Sequence, residues 1–155
     1  MTRLTKYSFG ATSAIVTGLA FIVSLSGSPD PRNPIIGSLL VFAVADNVAD
    51  SLGIHVFQES DLKDKASVNT STLSNFATRL AMILSFCALV YLLPIQAAVA
   101  VCAVWGMSVL ITLSYLIAVE QKARVSTAIA QHVAVAVLVM GGSLLLRDWI
   151  LMFFG

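Results

Sequence analysis

Hydrophobic and polar positions fall along this chain in long blocks rather than in short alternations. An apolar run extends from Ser8 to Ser26 and ends in the turn-rich stretch Ser26-Gly27-Ser28-Pro29-Asp30-Pro31-Arg32-Asn33-Pro34. A second run spans Pro34 to Phe57, interrupted by Asp46, Asn47 and Asp50. The stretch Gln58 to Asn75 is polar and holds Glu59, Asp61, Lys63, Asp64 and Lys65. From Phe76 to Val119 the chain is apolar for 44 residues, which at ~1.5 Å rise per residue is about twice the thickness of a bilayer core. That block therefore folds back on itself. The corner falls at Leu92-Leu93-Pro94-Ile95-Gln96, because Pro94 cannot continue a helix and Gln96 is the only strongly polar residue there. After Glu120-Gln121-Lys122-Ala123-Arg124 a last run covers Thr127 to Leu146 and is closed by Arg147-Asp148.

This pattern predicts an all-α, polytopic membrane protein. Its five transmembrane helices are expected at about 8–27, 34–57, 75–93, 95–119 and 127–147, in a single membrane domain over residues 1–155. A β-barrel fits poorly, since barrel strands need only ~9–11 residues and alternate in hydrophobicity. Arg3 and Lys6 precede the first run as they would in a signal peptide, but its apolar core exceeds the ~7–15 residues of such a region. The first run is accordingly read as a retained helix.

Composition narrows the function classes. Hydrophobic residues make up 58% of the 155 residues and charged ones 11%, against ~25% charged in soluble globular chains. Two cysteines exclude a disulfide scaffold, and a net charge of +1 leaves no basic surface for nucleic acid. No Gly-rich phosphate loop, Ser/His/Asp arrangement or zinc-type cluster is present, so no enzymatic activity is expected. The partner expected from composition is the lipid bilayer.

Lys and Arg set the expected orientation. With five spans, one side carries Arg3, Lys6, Lys63, Lys65, Lys122 and Arg124, and the other carries Arg32 and Arg147. The bias places the N-terminus in the cytoplasm.

The informative residues are the polar ones inside apolar runs. Asp46 and Asp50 lie four apart, so both carboxylates leave one face of the second helix, with Asn47 beside them. An Asp at mid-bilayer costs ~2.5–3.5 kcal/mol on insertion scales, so two within one turn need compensation. Three arrangements supply it: a wet cavity, bound cations or protons, or neutralisation by Arg79 of the third span. Like charges so close also favour sharing one proton. Such a pair suits cation/proton exchange, because hard divalent ions take oxygen ligands and protons compete for them. The structural alternative is that both residues only fix helix packing. Arg79 sits about a turn inside the third span, where it can snorkel to the cytoplasmic face or act as counter-ion to Asp50 or Glu59. His55 is a second ligand, a pH-sensitive gate or an interfacial residue. His132, about one and a half turns into the last span, either reaches the pathway or bonds to a carbonyl. Met82, Met107, Cys87 and Cys102 offer soft sulfur, yet no CxxC or CxxM spacing assembles it, and they are read as packing residues.

Small residues recur every four positions, as Gly10, Ala14 and Gly18 in the first run and as Ala45, Ala49 and Gly53 in the second. Such stripes allow close helix approach in lipid. One of them forms a two-fold contact between chains, or the two pack on each other within one chain, and both can hold.

At these positions the chain resembles the vacuolar iron transporter family. Phe9-Gly10-Ala11-Thr12-Ser13-Ala14-Ile15-Val16-Thr17 is similar to that family's FGATDG-hVTT opening (h, hydrophobic). Ala49-Asp50-Ser51-Leu52-Gly53-Ile54 is similar to its ADG-hSM segment, and Tyr91-Leu92-Leu93-Pro94 to its LLPY corner. The resemblance implies a homodimer that exchanges ferrous or manganous ions for protons along a path between protomers. The ion is cargo, and no cofactor is permanently bound. It also implies a metal- and proton-binding role for Asp50. The family's span-one aspartate is Ser13 here, its following glycine is Ala14, and its span-two methionine is Ile54. Its cytoplasmic metal-binding helices have no room in Gln58 to Asn75. Asp46, one turn before Asp50, is the residue positioned to replace the missing carboxylate. The expected function is thus exchange of Fe2+ or Mn2+ for protons. The competing expectations are a transport-inactive scaffold or partner-binding subunit, and a proton-coupled exporter of organic cations.

Overall fold

The computed structural model describes residues 3–60 and 65–154, with side chains described for 10–50, 52, 53, 56 and 73–153. Five helices make up the described chain: α1 (Arg3–Leu25), α2 (Arg32–Ser60), α3 (Lys65–Leu92), α4 (Ile95–Glu120) and α5 (Val125–Phe154). Among the residues described with side chains, three segments are long and apolar enough to cross a membrane, namely Leu73–Leu92, Ile95–Glu120 and Val125–Phe153, and Gly10–Leu25 is a shorter apolar stretch. These features are those of an all-helical, multi-pass integral membrane protein. Asp46, Asn47 and Asp50 interrupt the apolar run of α2.

The helices are longer than the apolar blocks. α2 continues through Gln58 to Ser60, α3 begins at Lys65, and α5 runs past Arg147 and Asp148 to Phe154. Hydropathy marks the lipid-compatible part of a helix, whereas backbone hydrogen bonding continues until something interrupts it. No proline or glycine occurs between Gln58 and Asn75. The expected corner at Pro94 is present: α3 ends at Leu92 and α4 starts at Ile95. Pro94 precedes α4 with ψ 140°, and its carbonyl accepts the first helical bond from the Ala98 N–H at 2.8 Å.

Consecutive helices run in opposite directions. At one end of the bundle Arg32, at the start of α2, donates to the Leu93 carbonyl in the α3–α4 corner at 2.8 Å. The Arg147 guanidinium lies beside Gly27 at the same end. At the other end Gly10 meets Asn75, and Thr12 faces the α4–α5 turn.

α1 occupies the centre, against α3, α4 and α5, while α2 packs chiefly on α3. The buried face of α1 presents Ala14, Ile15, Leu19 and Ile22, which meet Ile83, Phe86 and Val90 of α3 and a seam of α4. That seam repeats every four residues, Ala98, Cys102, Gly106, Leu110, Ser114 and Ala118, and its small members let α4 approach closely. Cβ atoms built at Gly18 or Gly106 would lie 3.0–3.1 Å from the Phe86 ring. α5 buries little, with Ala136 its one fully buried apolar residue among those described.

Candidate functional site

The site forms where α2 crosses α3 beside α1. The buried face of α2 is the stripe Ile35, Leu39, Ala43 and Asn47, again at four-residue spacing. Asp46 and Asp50 flank this stripe, so they stand at the border between the packed and the open face of the helix. From α3, Arg79 reaches into the border. One of its terminal nitrogens (Nη2) lies 2.7 Å from Asp46 Oδ2 and also donates to the Ser13 hydroxyl of α1. The other, Nη1, is paired with Asp50 Oδ2. The guanidinium carbon lies 5.3 Å from the centre of the Phe42 ring, a cation–π contact, and Phe21 meets Phe42 edge-on at 5.7 Å.

Burial within this cluster is asymmetric. The Arg79 side chain is 2% exposed, but Asp46 is 41% and Asp50 32% exposed. Arg79 is therefore turned inward to both carboxylates instead of snorkelling to an interface, because two anions within one turn hold it more strongly than water at the helix end. The expected counter-ion role for Asp50 is met, and Asp46 shares it. Ser13, at the position the family resemblance assigns to an aspartate, bonds to the same guanidinium.

Asn47 does not join the cluster. Fully buried, it points to α3 and donates from Nδ2 to the Phe76 carbonyl at 3.1 Å. His132 is also elsewhere: its Nδ1 lies 2.8 Å from the Ser114 hydroxyl of α4, so its partner is a side chain and not the expected carbonyl. The His55 and Glu59 side chains lie outside the described residues. Cys87 and Cys102 are free thiols, Cys102 fully buried, and both belong to helix packing. Among the described residues no three His, Cys, Asp or Glu side chains converge as a metal set.

Two elements of the site had no sequence signal. Phe42 is one of many apolar residues of α2, and only the fold brings its ring over Arg79. Ser114 meets His132 because α4 and α5 cross at that level. Several buried polar atoms close to the cluster lack a partner among the described residues, namely Arg79 Nε, Asn47 Oδ1, Ser74 Oγ and both side-chain polar atoms of Asn75. The α1–α2–α3 junction is thus unusually polar for an interior that faces lipid.

An open groove of about 770 Å³ lies on the α1–α2 side, with Pro34 at one end, Val41, Phe42 and Ala45 along it, and Asp46 and Ala49 at the other. Twelve residues separate Pro34 from Asp46, so the groove descends ~18 Å from the end of α2 to the first carboxylate. No family model matches this chain, and neither the curated proteins nor the solved structures contain one significantly similar to it.

Proposed function

We propose that the protein is a proton-coupled cation transporter of the membrane, with Asp46, Asp50 and Arg79 as its coupling site. The observation that carries this reading is the asymmetry of the cluster: a buried guanidinium holds two carboxylates whose outer sides remain accessible on α2. A carboxylate so placed can exchange its basic partner for a proton or a cation arriving along the groove. The divalent cargo, Fe2+ or Mn2+, follows from the resemblance to vacuolar iron transporters in Phe9 to Thr17 and Ala49 to Ile54. One chain offers such an ion few oxygens, from Asp46, Asp50 and Ser13. A second copy paired through the open face of α2 doubles the carboxylates to four. The dimer and the five spans with a cytoplasmic N-terminus belong to this same reading.

The test is uptake of Fe2+ or Mn2+ into proteoliposomes under a pH gradient. Wild-type protein is expected to couple metal entry to proton exit. Asp50→Asn is expected to abolish this flux, and Asp46→Asn to reduce it at least tenfold. Normal transport by Asp46→Asn would remove Asp46 from the site.

A second reading, a scaffold or partner-binding membrane subunit, is favoured by one observation. Arg79 engages both carboxylates and Ser13 at once, which is also how a purely structural ion pair looks. Absence of metal-dependent proton flux from the wild type would select it.

A further inference from the structure

A second polar feature lies on the other side of α1 from the α2 cluster: Ser13 belongs to the cluster, and the adjacent Thr12 to this feature. There α1, α4 and α5 enclose an open cavity of about 740 Å³ around the α4–α5 turn. Its polar lining comes from Thr12, Gln121, Arg124, Thr127, Gln131 and His132. Among the described residues no carboxylate lines it. Among the described residues Arg124 is the one charged group that lines it, and its guanidinium has no hydrogen-bond or ion-pair partner there. Glu120 and Lys122 stand exposed on the adjoining turn without lining the cavity.

The hydrogen bonds behind His132 fix its chemistry. The Ser114 hydroxyl has one proton, and it donates that proton to the Leu110 carbonyl at 2.7 Å. Toward His132 the same oxygen can therefore only accept, so Nδ1, at 2.8 Å, carries a proton and donates. Nε2 is then the position where the ring gains or loses its second proton, and among the described residues it has no partner. In the neutral ring Nε2 is an acceptor; once protonated it becomes a charged donor.

We propose that this cavity binds a phosphate-type anion. Arg124 supplies the fixed charge and a planar set of donors, and the amides of Gln121 and Gln131 and the Thr127 hydroxyl complete the shell. Binding takes up one proton from solvent on His132 Nε2, because a neutral imidazole would turn a lone pair toward the anion. The apolar remainder of the lining, Ile117, Ala118 and Ala128, and the open side suit the glycerol and acyl stem of an anionic lipid. Free phosphate presents the same charged group. The site is independent of the transport reading, and either can fail alone.

The experiment uses the full chain in detergent and in nanodiscs, with thermal stabilisation as the readout. The probes are inorganic phosphate, inorganic sulfate, and phosphatidylcholine discs with or without phosphatidic acid. Sulfate keeps its charge between pH 6 and pH 8, so its pH dependence reports the protein alone. Wild-type protein is expected to bind sulfate at least tenfold more tightly at the lower pH. Arg124→Gln, at an exposed residue without a described partner, keeps the fold and weakens binding of every probe at least tenfold. His132→Gln keeps sulfate binding but removes its pH dependence. Stabilisation by phosphatidic acid alone identifies a lipid ligand, and stabilisation by phosphate in lipid-free detergent identifies a soluble one; both support the site. No stabilisation by any probe, equal binding by Arg124→Gln, or an unaltered pH dependence in His132→Gln overturns it.

Discussion

The two small-residue stripes of this chain have the same four-residue spacing and opposite surroundings. On α1, Gly10, Ala14 and Gly18 are all buried, and what fills the space they leave is α3: a Cβ at Gly10 would lie 2.7 Å from the Asn75 carbonyl oxygen, and one at Gly18 3.0 Å from the Phe86 ring. On α2, Ala45, Ala49 and Gly53 are exposed, and a Cβ at Gly53 or Gly37 would meet nothing within 4 Å. The expected packing of the first stripe on the second does not occur, since α1 and α2 touch only marginally. α3 stands between them and offers one bulky ring, Phe86, to the α1 stripe and one long cation, Arg79, to the border of α2. A small-residue repeat thus specifies that something approaches closely; which neighbour does so is decided by the shape of the third helix.

The largest expected effect comes from the strut between the two faces. Arg79→Gln leaves two carboxylates without their cation and is expected to destabilise the chain by about 3 kcal/mol. Unfolding in mixed micelles measures this, and Asp46→Asn/Asp50→Asn in the same background should recover part of it. The contrast between the stripes gives the next effect. Gly10→Val drives a branched side chain into the Asn75 backbone and should cost about 2 kcal/mol. Gly53→Val should change the stability of the single chain by less than ~0.5 kcal/mol. If α2 pairs with a second copy, Gly53→Val should instead lower the apparent mass in sedimentation or cross-linking. Equal losses of stability at the two glycines would erase the distinction drawn here.

A gain in stability, smaller than the losses at Arg79 and Gly10, lies where a glycine is called for and absent. Lys122 follows α4 with a left-handed φ of 54°. The Ala123 N–H returns to the Ala118 carbonyl at 2.9 Å and the Lys122 N–H to Val119 at 3.2 Å, the pairing of a Schellman cap. Lys122→Gly should raise stability by roughly 0.5–1 kcal/mol, read as a higher unfolding midpoint.

The helices and their order could be read from the sequence because lipid solvation imposes one rule on every segment, and the position of Pro94 made the corner explicit. Helix ends were less legible, since α2 and α3 extend into polar sequence that hydropathy cannot assign. Asp46, Asp50 and Arg79 stood out as charges in apolar runs, and their meeting follows from a shortage of other compensation at that depth. The positions of Phe42, Ser114 and Asn75 were not legible, because a phenylalanine, serine or asparagine in a helix carries no mark of what it will touch. The cavity at Arg124 was not legible for a related reason: in sequence Arg124 and Lys122 are topogenic charges, and His132 is a histidine that either reaches the pathway or bonds to a carbonyl.

The triad described above has an electrical consequence. Two carboxylates and one guanidinium sum to a single excess negative charge. In a bilayer that charge sits where the transmembrane potential falls, and a full crossing is worth about 2.3 kcal/mol per elementary charge at 100 mV. A unit charge at half that depth feels roughly 1 kcal/mol for each 100 mV applied. On the transporter reading proposed above, a cation that joins the triad cancels this charge, and with it the pull of the membrane potential on the site.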